Sequence, residues 1–246
     1  MINSLTTRRS IRKFKAEAVS DATLNQLFEK AFRSSTTGNM QLYSVVITKD
    51  PKKKEELAPA HFNQPAYANA STILTFCADF NRFTKWCELR NAKPGYGNAE
   101  GLSCAVLDAI IAAQTFCVAA EEENLGICYL GTTTYNPDKI AEVLQLPKLV
   151  VPVVTISVGY PDEEPQQSDR LPLNAIIHQE TYHDYTDKMI ECLYKEKEAL
   201  EENKNFVKEN GKENLAQVFT DVRYTAKDME FFSQKLLDFI KKQGFK

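Results

Sequence analysis

The chain has only three histidines and no Cys-x-x-Cys pair. His61, His178 and His183 have no ligand partners at metal spacing, so no metal centre is expected and each histidine reads as a surface or structural residue. There is no G-x-S-x-G, which removes the nucleophile elbow of a hydrolase, and no G-x-G-x-x-G, which removes a Rossmann dinucleotide crevice. Positive charge is not in excess. Lys and Arg total 30 against 33 Asp and Glu, giving a net charge of -3 and a pI near 5.8. Bulk electrostatic binding of nucleic acid is therefore not expected, and partners should be small molecules or protein. The start of the chain lacks the apolar stretch of roughly 7 to 15 residues that follows a basic start in secretory signals. The six cysteines, at 77, 87, 104, 117, 128 and 192, mostly lie in apolar runs, where a thiol behaves as a small hydrophobe. A reduced, cytoplasmic setting is the simplest expectation.

What the chain does have is 246 residues with 43% hydrophobic content, enough for a full core in a single domain. Its most distinctive stretch is Arg8-Arg9-Ser10-Ile11-Arg12-Lys13-Phe14. Arginine offers a planar, permanently charged fork that meets two phosphate oxygens at once, and serine adds a neutral donor. Residues 8, 10 and 12 alternate, so they face one way in an extended segment. Ile11 and Phe14, inside the basic run, suggest a segment packed on the protein rather than a free arm.

Ser20 is placed to cap a helix with Leu24, Leu27, Phe28 and Ala31 on one face. The polar stretch 34–39 ends it, and a strand is expected over 43–48. Asp50-Pro51 starts a short helix to Leu57, a second strand covers 73–77, and residues 81–101, with Phe83, Trp86 and Tyr96 among charges and Gly95 and Gly97 as hinges, read as a lid or a surface excursion. Residues 102–120 are apolar almost all round, long enough to be mistaken for a membrane span. Asp108 near the middle and Glu121-Glu122-Glu123 directly after favour a helix buried in protein, in the core or at a subunit interface. A strand at 126–130 ends at Gly131, Asn136-Pro137 caps a helix, and 149–158 is a buried strand whose Pro152 calls for an edge or a bulge. An amphipathic helix is expected over 185–205, with a break at Asn210-Gly211. A final helix follows whose Met229, Phe232, Leu236 and Phe239 share a face.

The opening Arg-rich string, Cys77-Ala78-Asp79-Phe80-Asn81-Arg82, Tyr129-Leu130-Gly131, Gly159-Tyr160-Pro161 and Arg170-Leu171-Pro172 occur in register. Together they resemble the FMN-dependent nitroreductase family, nearer its NADPH flavin reductase and oxygen-insensitive nitroreductase branch. The resemblance runs from about residue 5 to 185 and continues weakly to the C-terminus. It implies an α+β fold, a central mostly antiparallel sheet flanked by helices, in an intertwined homodimer. On this view residues 1–246 form a single FMN-binding domain with a helical C-terminal extension at about 184–246.

The resemblance also implies roles. Arg8, Arg9, Ser10, Arg12, Ser168 and Arg170 would surround the FMN phosphate. Thr36, Thr37, Asn39 and Gln41 would lie along the flavin and its ribityl chain, with Gln64 near the ring edge. Tyr129, Leu130, Gly131 and Thr132 would bring backbone N–H groups to the reactive ring nitrogen. The chemistry would be the flavin's, with no acid or base residue required. NADPH or NADH would reduce it over the ring, and nitroaromatics, quinones or flavins would take the electrons in ping-pong fashion. Supplying reduced flavin, serving a dedicated metabolite, or flavin binding without turnover are the alternatives. Two departures stand out. Ser168 occupies a position that is often basic in the branch, and Arg8 one that is histidine in some relatives. The segment 208–214, which in the branch meets the extra phosphate of NADPH, carries two lysines and two glutamates, so only modest donor selectivity is expected, with Arg223 a further candidate.

Overall fold

The computed structural model describes residues 4–246. Its contacts divide into two compact units, residues 1–166 with 232–246, and residues 167–231.

The first unit is built on a four-stranded antiparallel sheet of β1 (Tyr43–Thr48), β2 (Thr72–Asp79), β3 (Gly126–Leu130) and β4 (Val150–Gly159), in the order β1-β2-β4-β3. Every residue of β2 is buried, as suits a central strand whose Ile73, Leu74, Phe76, Cys77 and Ala78 are apolar. β4 is also internal, so Pro152 cannot sit at an edge. It sits at a bulge: Phe76 faces Val154 and Cys77 faces Pro152, leaving Val153 as the extra residue where the ladder is interrupted.

Helix α1 (Asp21–Ala31) begins where the Ser20 hydroxyl accepts the Thr23 N–H at 3.0 Å, and it buries Leu24, Leu27, Phe28 and Ala31. Helix α2 (Pro51–Leu57) has Asp50 as its cap and proline in its first turn. The stretch 81–101 is not a loose lid. Its first half is helix α3 (Asn81–Leu89), because Phe80, Phe83 and Trp86 recur at intervals of three and the Asp79 carboxylate accepts the Arg82 N–H at 3.2 Å. Tyr96 then stacks on Phe80 at 4.8 Å and meets Phe83 at 5.5 Å, which ties the second half down.

Helix α4 (Ala99–Glu122) opens where Asn98 Oδ1 accepts the Gly101 N–H at 2.8 Å. It is long and apolar enough to cross a membrane by length and composition alone. Instead, its Ala105, Ala109, Ala112, Ala113, Phe116 and Ala120 face is buried in the core with the sheet and α1. Small alanines let the helix approach the sheet closely, while Leu107, Ile110 and Ile111 on another face are exposed. Helix α5 (Pro137–Val143) follows β3 and buries Ile140.

The second unit holds two helices where one was expected, α6 (Asp187–Ala199) and α7 (Glu201–Glu209). Leu200 between them is extended, at φ -60° and ψ 134°, and Asn203 Nδ2 donates to the Lys197 carbonyl at 2.7 Å in place of a continuing helical N–H. The Arg223 guanidinium lies 4.6 Å from the Phe206 ring centre. Helix α8 (Ala226–Gln243) closes the chain. Within the first unit its Phe232 stacks on Tyr135 at 4.4 Å, and Phe239 is buried, whereas Met229 is exposed.

Candidate active site

The arginine-rich segment is strapped to the sheet. Ser10 forms a parallel bridge with Ile127 beside β3, and the Ile11 N–H donates to the Ile127 carbonyl at 2.9 Å. Two glycines make the seat: a Cβ on Gly126 would lie 2.8 Å from Ile11, and one on Gly159 would lie 2.9 Å from Phe14. Only a residue without a side chain lets Ile11 and Phe14 bury themselves there. The packed-segment expectation therefore holds for this stretch, and the basic run is no free arm.

Its three arginines differ. Arg8 Nε lies 3.6 Å from the Glu121 carboxylate, whose pKa is raised by burial and drawn back by Arg8. Arg9 pairs with Glu164 at 2.6 Å. Both line a cavity of about 580 Å³ whose wall also carries Glu121, Glu122, Glu163 and Glu164, so its charge balance is acidic. Arg12 does not line that cavity, and its side chain is exposed. Its backbone N–H and that of Lys13 are taken by Glu163, whose carboxyl these bonds hold below the usual range. Ser10 and Arg12 thus stand apart from the acidic cavity that Arg8 and Arg9 line.

Along β3 the chain reaches Tyr129 and Leu130, then turns at Gly131, where a Cβ would meet nothing within 4 Å. Gln64 comes to the same turn, its Nε2 donating to Thr132 Oγ1 at 3.2 Å. His61 Nδ1 is 2.9 Å from the same oxygen. Ser10 at the Ile127 bridge and the Gln64–Thr132 pair therefore lie toward opposite ends of β3. From the Ile127 bridge to Gly131 is four residues, or about 13 Å of strand.

The third group lies elsewhere. The Thr37 N–H and hydroxyl donate to Asp108 Oδ1 at 2.8 and 2.9 Å, and the Leu42 N–H donates to Oδ2 at 3.1 Å. Asp108 is 1% exposed, so a buried carboxylate in α4 holds the 36–42 loop at both ends. Within it Gly38, Asn39 and Gln41 take positive φ, a conformation that asparagine tolerates better than most side chains. Gln41 Nε2 donates to Asn39 Oδ1 at 2.7 Å, and Arg82 donates to the Gln41 carbonyl. A cavity of about 690 Å³ is bordered by Asn39, Gln41, Tyr43 and Arg82. This loop enters β1 and the Gly131 turn leaves β3, at the two edges of the sheet. Three strand spacings, about 14 Å, separate those edges.

Ser168 and Arg170 belong to the second unit, where Arg170 Nη1 donates to the Ser168 and Asp169 carbonyls at 3.2 and 2.8 Å. Sequence reasoning did not find Asp108, Arg82, Glu121 or His61 as parts of this arrangement. The one signal for Asp108 was a lone carboxylate in an apolar helix; a single histidine or glutamate gives none.

The sequence pattern of the Nitroreductase family matches residues 5–160. The chain belongs to the nitroreductase family. Within it, the chain is 30% identical over 250 residues to a Bacillus subtilis (strain 168) protein named FMN reductase (NADPH), covering 99% of this chain and 97% of that one. It is 32% identical over 248 residues to a second protein of that organism, named FMN reductase [NAD(P)H], covering 100% and 98%. A solved structure from Bacteroides fragilis NCTC 9343, carrying an oxidoreductase name, matches with a TM-score of 0.97 and 57% identity over 99% of both chains. The family's α+β architecture, expected from the short motifs, is the architecture found.

Proposed function

We propose that the protein is an FMN-dependent NAD(P)H oxidoreductase acting on small planar electron acceptors such as nitroaromatics, quinones or free flavins. The observation that carries the proposal is the common strand. Ser10 lies against one end of β3, with Arg12 two residues on, and the Gly131–Thr132 turn with Gln64 lies at the other, a span that a ring, its five-carbon chain and a phosphate would bridge. The open space over Gly131 lets a flat ring approach the backbone, so the residues present fit the cofactor.

FMN, when bound, would supply the hydride chemistry between NADPH or NADH and the acceptor. The chain's own residues bind and orient. Arg12 and Ser10 would hold the phosphate, with Arg8 and Arg9 around it. Gln64 and the Tyr129–Thr132 backbone would meet the ring edge. No side chain is needed as acid or base. Thr36, Thr37, Asn39 and Gln41 serve the site of a second copy, because in one chain they sit at the opposite sheet edge. The exposed Leu107, Ile110 and Ile111 on α4 supply an apolar face for that homodimer. With six free thiols and no disulfide among the described residues, the cytoplasm is the proposed compartment.

The test is the visible spectrum of the purified protein, followed by anaerobic NADPH and NADH. A yellow protein bleached by either donor, with ping-pong steady-state kinetics, is expected. A colourless protein that takes up no added FMN overturns the proposal, and a yellow one that neither donor bleaches is a flavin-binding module instead.

A further inference from the structure

His61 lies in the short turn Ala58–His61, is 0% exposed, and stacks against Tyr67 with ring centres 5.1 Å apart. Burial lowers its pKa to about 4, so near neutral pH it carries a single ring proton. Nδ1 is 2.9 Å from Thr132 Oγ1, while Nε2 is buried with no hydrogen-bond partner. The two tautomers are not equivalent here. A proton on Nε2 would be a buried, unpaired N–H, which proteins tolerate less often than an unpaired acceptor. A proton on Nδ1 is donated to Thr132 and leaves only a lone pair unmet.

The Thr132 hydroxyl has one proton and two lone pairs. One lone pair receives the His61 N–H and the other the Gln64 Nε2 N–H at 3.2 Å. Its own proton must then take the remaining direction. Thr132 is half-buried and follows Gly131, above which there is open space.

We infer that His61, protonated on Nδ1, acts with Gln64 to turn the Thr132 hydroxyl proton outward, making that hydroxyl a fixed hydrogen-bond donor to the bound flavin. The inference rests on the flavin proposal for its ligand and on this chain's own geometry for the donor. His61 is a positioning residue and touches no substrate. A fixed donor at the ring edge favours the more electron-rich, reduced form, so it raises the flavin potential.

Two measurements test it. Long-range proton–nitrogen NMR on protein labelled at histidine nitrogen reads the His61 tautomer directly, without FMN. An Nδ1-protonated, Nε2-bare ring is expected, and an Nε2-protonated ring overturns the inference. Potentiometry of the FMN-loaded protein then reads the donor. Thr132→Val should shift the reduced-to-oxidised ratio about tenfold toward oxidised, which is ~30 mV for a two-electron couple. His61→Phe should move in the same direction, whereas Thr132→Ser and His61→Asn, which keep the hydroxyl and an N–H, should stay near the parent. A Thr132→Val potential equal to the parent's overturns the inference even if the tautomer is as expected. Failure to take up FMN at all instead overturns the flavin proposal, while the tautomer still decides the His61–Thr132 arrangement.

Discussion

Asp108→Asn is the sharpest test of how the 36–42 loop is held. The change keeps size and shape, so any effect comes from hydrogen bonding. Asn Oδ1 can still accept the two Thr37 bonds, but Nδ2 replaces Oδ2 and faces the Leu42 N–H that now donates at 3.1 Å. One charge-assisted bond, typically about 1.5–3 kcal/mol, is lost, and two donors are left opposed at a site that is 1% exposed. The remaining two bonds lose their charge. The expected cost is about 3 kcal/mol, and for a urea m-value of about 3 kcal/mol/M the unfolding midpoint should fall by about 1 M. The assay is urea unfolding of the FMN-free protein, followed by circular dichroism at matched protein concentration, since association between copies would add to apparent stability. An unchanged m-value with the lower midpoint is expected. A midpoint within about 0.2 M of the parent, or roughly 0.6 kcal/mol, would refute the reasoning and mean that the loop stands without Asp108.

Other outcomes follow from the same geometry. Gly126→Ala would put a Cβ 2.8 Å from Ile11 and should cost about 1–3 kcal/mol by thermal unfolding. Gly131→Ala, with nothing within 4 Å, should leave the melting temperature of the FMN-free protein unchanged yet weaken FMN in equilibrium dialysis. Arg12→Ala should weaken FMN about ten- to a hundred-fold, and Arg9→Ala less, because Glu164 already pairs with Arg9. Since the folded chain holds the His61 pKa at about 4 against an ordinary 6.5, only the unfolded chain takes up the proton as pH first falls. Stability present above pH 6.5 should therefore be lost between 6.5 and 4, by up to about 3 kcal/mol, and His61→Phe should flatten that part of the denaturation profile. NADPH should be preferred over NADH by about ten-fold in kcat/KM, or 1.4 kcal/mol, falling with salt, because residues 208–214 balance two lysines with two glutamates. A thousand-fold preference that survives high salt would point to a buried, fork-like phosphate site.

Much of the fold was legible because local chemistry and packing agree. Ser20 and Asp50 announce their helices, and the apolar run of β2 announces a central strand. Pro152 announced an irregularity, and the choice between edge and bulge needed the strand order. The 81–101 stretch was misjudged because the Phe80, Phe83, Trp86 stripe starts before the charged residues that dominate its appearance. The break at Leu200 carries no proline or glycine, so nothing local marks it. In the candidate site, residue types were legible and partners were not. Arg8, Arg9 and Arg12 look alike in the sequence, yet Glu121 and Glu164 distinguish them from more than a hundred residues away. The same holds for His61, whose significance depends on Thr132 across 71 positions.

The placement of the two donor groups on opposite sheet edges has a genetic consequence. If each site draws Arg12 from one chain and Thr37 from the other, a chain crippled only at Arg12 and a chain crippled only at the 36–42 loop are complementary defects. Each mutant alone would form pairs with two spoiled sites. Co-expressed, a mixed pair would gather both lesions into one site and leave the other intact, so roughly half of the native activity per mixed pair would reappear from two inactive parents. A site built wholly within one chain would permit no such rescue.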